Sequence, residues 1–264
     1  MTGARYNLIT VISATIAEAS SFIKIGGFTE IDKLVYGTIY HSYKFPDVMV
    51  VTGVTGPKNT KSLTADIANK FNSDLIISIG FASSVRSELN TGNLVICDSI
   101  YSLTGPPAYW NHNSASQLTS DYATMNQSYQ QSKYTLGDRP VIGGCLTLPQ
   151  QFVSTNMKNW IGYRFPVAII DMEAYHIVEQ SKANEISCVV VRAIVNPFSQ
   201  TSDRFTLFDE GLSSANILNR ILGTLLYYPI GIVDSLKTAA RTKEAGFSLS
   251  TFLLGYSDNE FRNS

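Results

Sequence analysis

The sequence predicts an α/β protein: a single three-layer α/β/α domain with a central mixed, mostly parallel twisted sheet. Two runs of apolar, largely β-branched residues, 167–170 and 188–191, are typical of strands that are buried on both faces. Between the two runs, small and apolar residues recur at helical spacing, so one face of a helix can lie on the sheet. These positions are Ala174, Ile177, Val178 and Ser181. We therefore predict a parallel strand–helix–strand crossover over residues 167–198.

The preceding elements follow the same alternation. Residues 8–14 predict a first buried strand, residues 34–52 a pair of strands, and residues 58–72 a helix with an apolar stripe. A strand over residues 74–84 and another that starts at Val141 continue the pattern. Between them, residues 101–137 give the poorest signal and predict a surface loop followed by a polar helix.

The N-terminus also has a second interpretation. Arg5 followed by the apolar run 8–14 imitates a signal peptide. Polar residues dilute that apolar run, and they favour a first strand of the sheet. These residues are Asn7, Thr10, Ser13 and Thr15.

The last part of the chain predicts helices. Residues 205–222 have a helical pattern, and residues 225–264 form an expected C-terminal helical extension. The apolar run 221–233 is broken by Pro229 and Gly231 and is far shorter than the roughly 20 residues that span a bilayer. We expect no membrane segment and one domain over residues 1–264.

Composition limits the class of partner. The chain has 264 residues, 44% of them hydrophobic, and a net charge of −1. This balance supplies no basic surface for nucleic acid, so a small neutral or zwitterionic ligand fits better.

The cysteines and histidines predict neither a disulfide framework nor a metal centre. The three cysteines lie far apart in strand-like surroundings, and they are Cys97, Cys145 and Cys188. The three histidines lack the spacing of metal ligands, and they are His41, His112 and His176. We therefore expect a reducing, cytoplasmic location and no metal.

Polar side chains follow both strands of the crossover. Asp171, Met172 and Glu173 come directly after the first strand, and Arg192 and Asn196 end the second. Open α/β sheets bind ligands beyond the carboxyl ends of their strands. For Asp171 we favour a structural interpretation, in which its negative charge interacts with the helix dipole and stabilises the helix by about 0.3–1 kcal/mol.

These same residues carry a resemblance to a known family. The sequence Asp-Met-Glu-Ala at 171–174, followed by an apolar run ending Val-Val-Arg-Ala-Ile at 190–194, resembles the signature of the purine nucleoside phosphorylase and uridine phosphorylase superfamily. The match covers roughly residues 6–215. Within the superfamily the chain is most similar to methylthioadenosine/S-adenosylhomocysteine nucleosidases and to hopanoid-associated phosphorylase-like proteins. The resemblance implies a nucleoside phosphorylase-like fold, a nucleoside as the small-molecule partner, no cofactor, and a homodimer or higher homo-oligomer.

The resemblance also implies roles for particular residues. Glu173 would accept hydrogen bonds from the ribose hydroxyls while Met172 packs on the sugar. Glu18 falls where the family keeps the carboxylate that activates water. The remaining expected substrate-binding residues are Gly80, Phe81, Ala82, Phe152, Arg192 and Phe208. For Phe208, packing in the core is the competing interpretation.

The sequence departs from the family at three places. Ser83 and Ser84 replace two glycines of a Gly-x-Ala-Gly-Gly turn. Asn196 stands where the nucleosidases have an aspartate that protonates adenine, although some purine phosphorylases of the superfamily hold a 6-oxopurine with an asparagine near this position. The arginines with which phosphorylases hold phosphate are absent from both expected positions, which favours water as the nucleophile.

Three functions remain open from the sequence. The favoured one is a purine nucleosidase that hydrolyses the N-glycosidic bond, with Glu18, Glu173 and Asn196 as catalytic residues. A phosphate-dependent nucleoside phosphorylase is the alternative within the enzymes. A protein that binds or stores nucleosides without turnover is the alternative outside them.

Overall fold

A computed structural model describes residues 8–53, 56–103, 110–111, 115–135, 140–149, 154–200 and 229–262. Its strands are β1 (Ile9–Ser13), β2 (Thr29–Leu34), β3 (Gly37–His41), β4 (Val48–Thr52), β5 (Leu75–Ser84), β6 (Leu94–Ser102), β7 (Ser116–Thr119), β8 (Val141–Thr147), β9 (Ile169–Asp171) and β10 (Ser187–Asn196). Its helices are α1 (Ile16–Gly26), α2 (Pro57–Phe71), α3 (Tyr122–Thr135), α4 (Thr155–Arg164), α5 (Ala174–Ala183) and α6 (Pro229–Arg262). The predicted helix over 205–222 lies outside the described residues.

All ten strands belong to one mixed sheet. Parallel pairings join β4, β1, β5 and β10, and the hairpin of β2 and β3 extends the sheet beyond β4. Because β10 pairs with both β5 and β6, the path β5-β9-β8-β6-β10 closes on itself as a five-stranded ring. This ring and the adjoining β1 position the residues that the sequence singles out.

The prediction of a parallel crossover over residues 167–198 was wrong, because its two strands run in opposite directions. Strand β9 runs antiparallel to β5, whereas β10 runs parallel to β5 and pairs on its other side. Apolar runs that are buried on both faces look the same in a parallel layer and in a closed ring, so composition could not distinguish them. The ring nevertheless brings Asp171 at the end of β9 to Arg192 in β10.

Strand β1 and the turn that follows it place Glu18. Every residue of β1 is buried, as its apolar run predicts. Helix α1 then begins after Thr15, whose main-chain N–H donates to Oε2 of Glu18 at 2.8 Å. Gly27 caps the end of the helix, and its φ of 66° lies in the left-handed region that glycine adopts without strain.

The long C-terminal helix α6 is part of the core. It packs on α1 and α3, and its apolar side chains share one cluster with those of β1, β5 and β10. These side chains are Ala245, Leu249, Phe252, Leu253 and Tyr256. Gly246 allows the close contact with α1, since a Cβ there would lie 3.2 Å from the carbonyl oxygen of Ala17. None of the helices in the described ranges is long and apolar enough to cross a membrane.

Candidate active site

A small cavity of about 10 Å³ lies where β1, β5 and β10 meet the start of α5. Its walls include four residues that the sequence predicted for the site: Glu18, Gly80, Glu173 and Arg192. The other lining residues are Ile12, Ala14, Thr60, Ile79 and Ile177. A cavity of this volume has room for about one water molecule between its polar groups.

Glu18 is a buried carboxylate that is held by main-chain donors. Besides the bond from Thr15, its Oε1 accepts a hydrogen bond from the N–H of Phe81 at 3.1 Å. Burial raises the pKa of Glu18, while those two N–H groups and the charge of Arg192 oppose the rise. Phe81 therefore meets the site through its main chain, and its ring packs against the core cluster that contains α6.

Glu173 precedes the first residue of α5 and is partly exposed. Burial, followed by the negative charges of Asp171 and Glu18, raises the pKa of Glu173 to about 8. Arg192 and a hydrogen bond from the main-chain N–H of Gly56 oppose this rise. Gly56 lies directly before α2, and no pattern in the sequence indicates that its N–H reaches this carboxylate.

Arg192 is buried, and its Nε, Nη1 and Nη2 all donate to acceptors within the protein. Its Nε donates to Oδ2 of Asp171, and its Nη2 lies 2.9 Å from the same oxygen in an ion pair. Its Nη1 donates to the carbonyl oxygens of Ser78 and Val191, and its Nη2 donates to Oγ of Ser78. Burial lowers the pKa of Arg192, but Asp171 and the other nearby acidic groups, Glu18 among them, together outweigh burial and leave the pKa above the ordinary value. This arginine is thus tied into the fold, and direct contact with a substrate stays a prediction.

Asp171 does more than complement a helix dipole. Its Oδ2 accepts from the N–H of Ala174 at 2.8 Å, which is the helix-start role that we expected. In addition, Oδ1 accepts from the hydroxyl of Thr147 at 2.6 Å, and Arg192 completes its set of donors. The sequence missed this network because its members lie on separate strands.

Arg192 lies against Gly80 and leaves little room for a side chain there. A Cβ at Gly80 would be 3.2 Å from Nε of Arg192, closer than most side chains tolerate. Gly80 lies in the cavity wall, and its close contact there is with the protein itself, so binding of substrate by Gly80 stays a prediction.

Asn196 is buried at the end of β10 and is absent from the cavity wall. Its Nδ2 donates to Oγ of Ser83 at 3.3 Å, and its Oδ1 has no hydrogen-bond partner among the residues described. The following turn is fixed by Lys158, a buried lysine of α4 whose Nζ donates to the carbonyl oxygens of Pro197 and Gln200. Burial lowers the pKa of Lys158 to about 8. The sequence missed Lys158 because its helix has few apolar positions to indicate a buried face.

The remaining predicted residues separate into three cases. Ala82 is buried in the core cluster that includes Ile194. Met172 is partly exposed beside Glu173. Phe152 and Phe208 lie outside the described residues. Within the described ranges, no group of three or more His, Cys, Asp or Glu side chains is arranged to hold a metal ion.

The geometry suits chemistry at a single polar centre. Two carboxylates with raised pKa values, Glu18 and Glu173, face one cavity. Arg192, which is hydrogen-bonded within the protein, forms part of the cavity wall. Carboxylates in this arrangement can accept protons from water or hydroxyl groups and can stabilise a developing positive charge.

Comparison with known families identifies the class of protein. The profile described as "Phosphorylase superfamily" matches residues 9–224, which is most of the chain. The protein therefore belongs to the phosphorylase superfamily. No curated protein matches the sequence significantly.

Solved structures agree with this fold at low sequence identity. The 5′-methylthioadenosine/S-adenosylhomocysteine nucleosidase of Neisseria meningitidis, in complex with methylthio-immucillin-A, is 14% identical with a TM-score of 0.72, covering 96% of this chain and 99% of that one. The futalosine hydrolase of Helicobacter pylori is 13% identical with a TM-score of 0.72, covering 96% and 98%. A mutant of the Helicobacter pylori methylthioadenosine nucleosidase, with asparagine in place of an aspartate and 5′-methylthioadenosine in its active site, is 14% identical with a TM-score of 0.72, covering 96% and 99%. The chain thus has the fold of nucleosidases in this superfamily.

Proposed function

We propose that the protein hydrolyses the N-glycosidic bond of a purine nucleoside and releases the free base and a ribose moiety. The observation that carries this proposal is that Glu18 and Glu173 face the same cavity. Membership of the superfamily and the nucleosidase fold support it. Each side chain then has a separate task in breaking the bond.

Glu173 would stabilise the sugar. As the bond to the base breaks, positive charge develops on the ribose ring, and a carboxylate that accepts hydrogen bonds from the sugar hydroxyls counters it. The raised pKa of Glu173 applies to the site without a ligand. When a positive charge develops on the bound sugar, it lowers that pKa and favours the ionised carboxylate.

Glu18 would activate water. Two main-chain donors fix its carboxylate at the cavity wall, and the cavity has room for about one water molecule. Its raised pKa makes it a better proton acceptor than an exposed glutamate, because a catalytic base works best with a pKa near the working pH.

Water is a better candidate than phosphate for the nucleophile. Arg192 is the single arginine among the cavity residues in the described part of the chain, and each of its three nitrogens already donates to a protein acceptor. A phosphate ion needs donors that are free to bind it, often in the bidentate geometry of arginine. The phosphorylase alternative is therefore the weaker one.

The fate of the leaving base depends on Asn196. An amide cannot donate a proton as a general acid, and losing acid catalysis costs about 10²–10⁴-fold in rate. It can bind a purine through one donor and one acceptor. This substitution is also the observation that favours the second candidate function, a protein that binds nucleosides without turnover.

We also propose a cytoplasmic location and a homodimer or larger homo-oligomer. The location rests on the cysteines, all of which are free and buried. The oligomer rests on the resemblance to the superfamily alone.

The experiment that tests the function is incubation with a panel of purine nucleosides, with and without phosphate, followed by chromatography of the free base. We expect release of base at the same rate in both buffers. Strict dependence on phosphate would identify a phosphorylase, and nucleoside binding without any release would identify the binding role.

A further inference from the structure

Helix α5 begins without a hydrogen bond to the side chain of its N-cap residue. That residue is Glu173, and its carboxylate caps none of the N–H groups in the first turn of the helix. An N-cap side chain usually accepts from the second or third N–H of a helix, because these groups have no partner within the helix. The carboxylate of Glu173 instead lines the cavity, so other acceptors must hold the start of α5.

Side chains of two neighbouring strands supply those acceptors. Oδ2 of Asp171, at the end of β9, accepts from the N–H of Ala174 at 2.8 Å. Oγ1 of Thr147, at the end of β8, accepts from the N–H of Tyr175 at 3.0 Å. Because Tyr175 carries the second N–H of α5, Thr147 occupies the donor that the side chain of Glu173 would otherwise cap.

The hydroxyl of Thr147 has one arrangement that satisfies both of its contacts. The N–H of Tyr175 can only donate, so the oxygen of Thr147 accepts there, and its single proton is left for Oδ1 of Asp171 at 2.6 Å. Thr147 is buried and is the register partner of Asp171 in the pairing of β8 with β9. One hydroxyl therefore ties the start of α5 to both strands.

Without this hydroxyl, the second N–H of α5 would lose its acceptor. The side chain at the N-cap, Glu173, is the group that ordinarily caps that N–H. The negative charges of Asp171 and Glu18 also disfavour a second carboxylate charge in the cavity wall. Both effects would draw the carboxylate of Glu173 away from the cavity and toward its own helix.

We propose that Thr147 is a positioning residue, whose hydroxyl takes the second N–H of α5 and thereby keeps the carboxylate of Glu173 in the cavity wall. This inference rests on the proposed function, in which Glu173 stabilises the charge that develops on the sugar. Thr147 is absent from the residues of the described ranges that line the cavity, so it acts through Glu173 and not on the substrate.

The first test compares the turnover of three variants on the nucleoside that the wild type cleaves fastest. Thr147→Val keeps the shape of the side chain and removes the hydroxyl, whereas Thr147→Ser keeps the hydroxyl. Thr10→Val is the matched control, because Thr10 is also a buried strand threonine with a hydroxyl hydrogen bond, to Ser73, and is absent from the cavity wall.

We expect kcat to depend on the hydroxyl at position 147. In Thr147→Val it should fall about 10- to 100-fold with a smaller change in KM, the scale of a misplacement of about 1 Å in a group that acts in the transition state. Thr147→Ser and Thr10→Val should keep kcat close to the wild-type value.

The second test follows the pKa of Glu173 by NMR of isotope-labelled glutamate side chains and does not require turnover. Burial and the charges of Asp171 and Glu18 raise that pKa to about 8 in the wild type. A carboxylate that leaves the cavity wall for a main-chain donor titrates at lower pH. The pKa of Glu173 should therefore fall in Thr147→Val and stay near its wild-type value in Thr147→Ser and Thr10→Val.

Other outcomes overturn the inference. It is wrong if folded Thr147→Val keeps the wild-type kcat or the wild-type pKa of Glu173, if Thr147→Ser is as impaired as Thr147→Val, or if Thr10→Val has equal effects. Thermal melts establish that each variant is folded. Thr147→Cys, whose thiol is only a weak donor and acceptor, replaces the valine variant if valine does not fold. A wild type that releases no base, with a Glu173 pKa that depends on the hydroxyl of Thr147, would contradict the proposed hydrolysis and support the role of Thr147.

Discussion

Arg192 donates from Nε to Oδ2 of Asp171 at 3.0 Å, and its Nη2 lies 2.9 Å from the same oxygen in a buried ion pair. Both side chains are buried, and they join β10 to β9 across the five-stranded ring. Thr147 on β8 extends the same network, since its hydroxyl donates to Oδ1 of Asp171 and accepts from the N–H of Tyr175 at the start of α5. The network therefore fixes the segment of chain that carries Glu173.

Breaking this pair should strongly destabilise the protein. Arg192→Met removes the positive charge and leaves Asp171 buried without it, which typically costs about 3–5 kcal/mol. Urea denaturation measures the free energy of unfolding. Lys61→Met is the control, because it removes a partly exposed pair with Glu179 that is worth about 1 kcal/mol or less. Similar losses for the two variants would contradict the structural role of Arg192.

Glu18 should be needed for the reaction more than for binding. Glu18→Ala is expected to bind a nucleoside analogue by calorimetry but to release no base, because the water would lose its proton acceptor. Glu18 also caps α1, so the alanine variant should lose about 0.5–2 kcal/mol of stability. Glu18→Gln retains an acceptor for the cap and separates the two effects. If binding and turnover fall in proportion in both variants, Glu18 is a ligand contact or a structural residue.

Asn196→Asp should change the preference between bases. A carboxylate accepts hydrogen bonds from an amino group, can protonate a leaving purine, and repels the oxygen of a 6-oxopurine. We expect kcat/KM to shift toward adenosine over inosine by about 1–3 kcal/mol, the cost of leaving one buried polar group mispaired. Pro197 keeps the preceding residue extended, so backbone movement is a poor explanation of a negative result. Unchanged values for both nucleosides would show that residue 196 does not touch the base.

Lys158 should make stability depend on pH in a defined direction. Its pKa is about 8 in the folded protein, against an ordinary value of 10.5, so the unfolded chain binds more protons between these values. The free energy of unfolding of the wild type should therefore rise with pH over that window relative to Lys158→Met. Urea denaturation at intervals from pH 7.5 to about 10.5 measures the difference, in which the titration of the other groups cancels. A difference that stays constant or falls as the pH rises would mean that Lys158 is not buried as a cation.

The sequence predicted those features that depend on local pattern. The apolar runs located β1, β5 and β10, and the helical stripe located α2 close to its observed ends. Strand β2 was missed because most of its residues are polar and exposed. The direction of β9 was also missed, since a short apolar run carries no information about the neighbour with which it pairs.

The sequence predicted residues of the candidate site only where those residues belong to a motif of the family. The resemblance supplied Glu18, Glu173 and Gly80, which the structure brings to one cavity. The contacts of Asp171 with Thr147 and of Lys158 with the turn after Asn196 join residues that are distant in the chain. No spacing rule within one element predicts such contacts, because they depend on how the ring closes.

The most direct test of the account is the activity of Glu173→Gln on the nucleoside that the wild type cleaves fastest. Glutamine keeps the size of the side chain but cannot carry the negative charge that counters the developing cation, so kcat/KM should fall by about 10²-fold or more. Glu179→Gln, on the same helix, is the matched control and should keep its activity.

Stability provides the check that the variant is folded. The pKa of Glu173 is raised from 4.5 to about 8 in the folded protein, so its contribution to stability is present below pH 4.5 and is lost as the pH rises to about 8. Relative to the wild type, Glu173→Gln should therefore gain stability over that window. We predict a folded Glu173→Gln protein with little activity beside an active Glu179→Gln protein, and wild-type kcat/KM in folded Glu173→Gln would contradict the proposed role of Glu173.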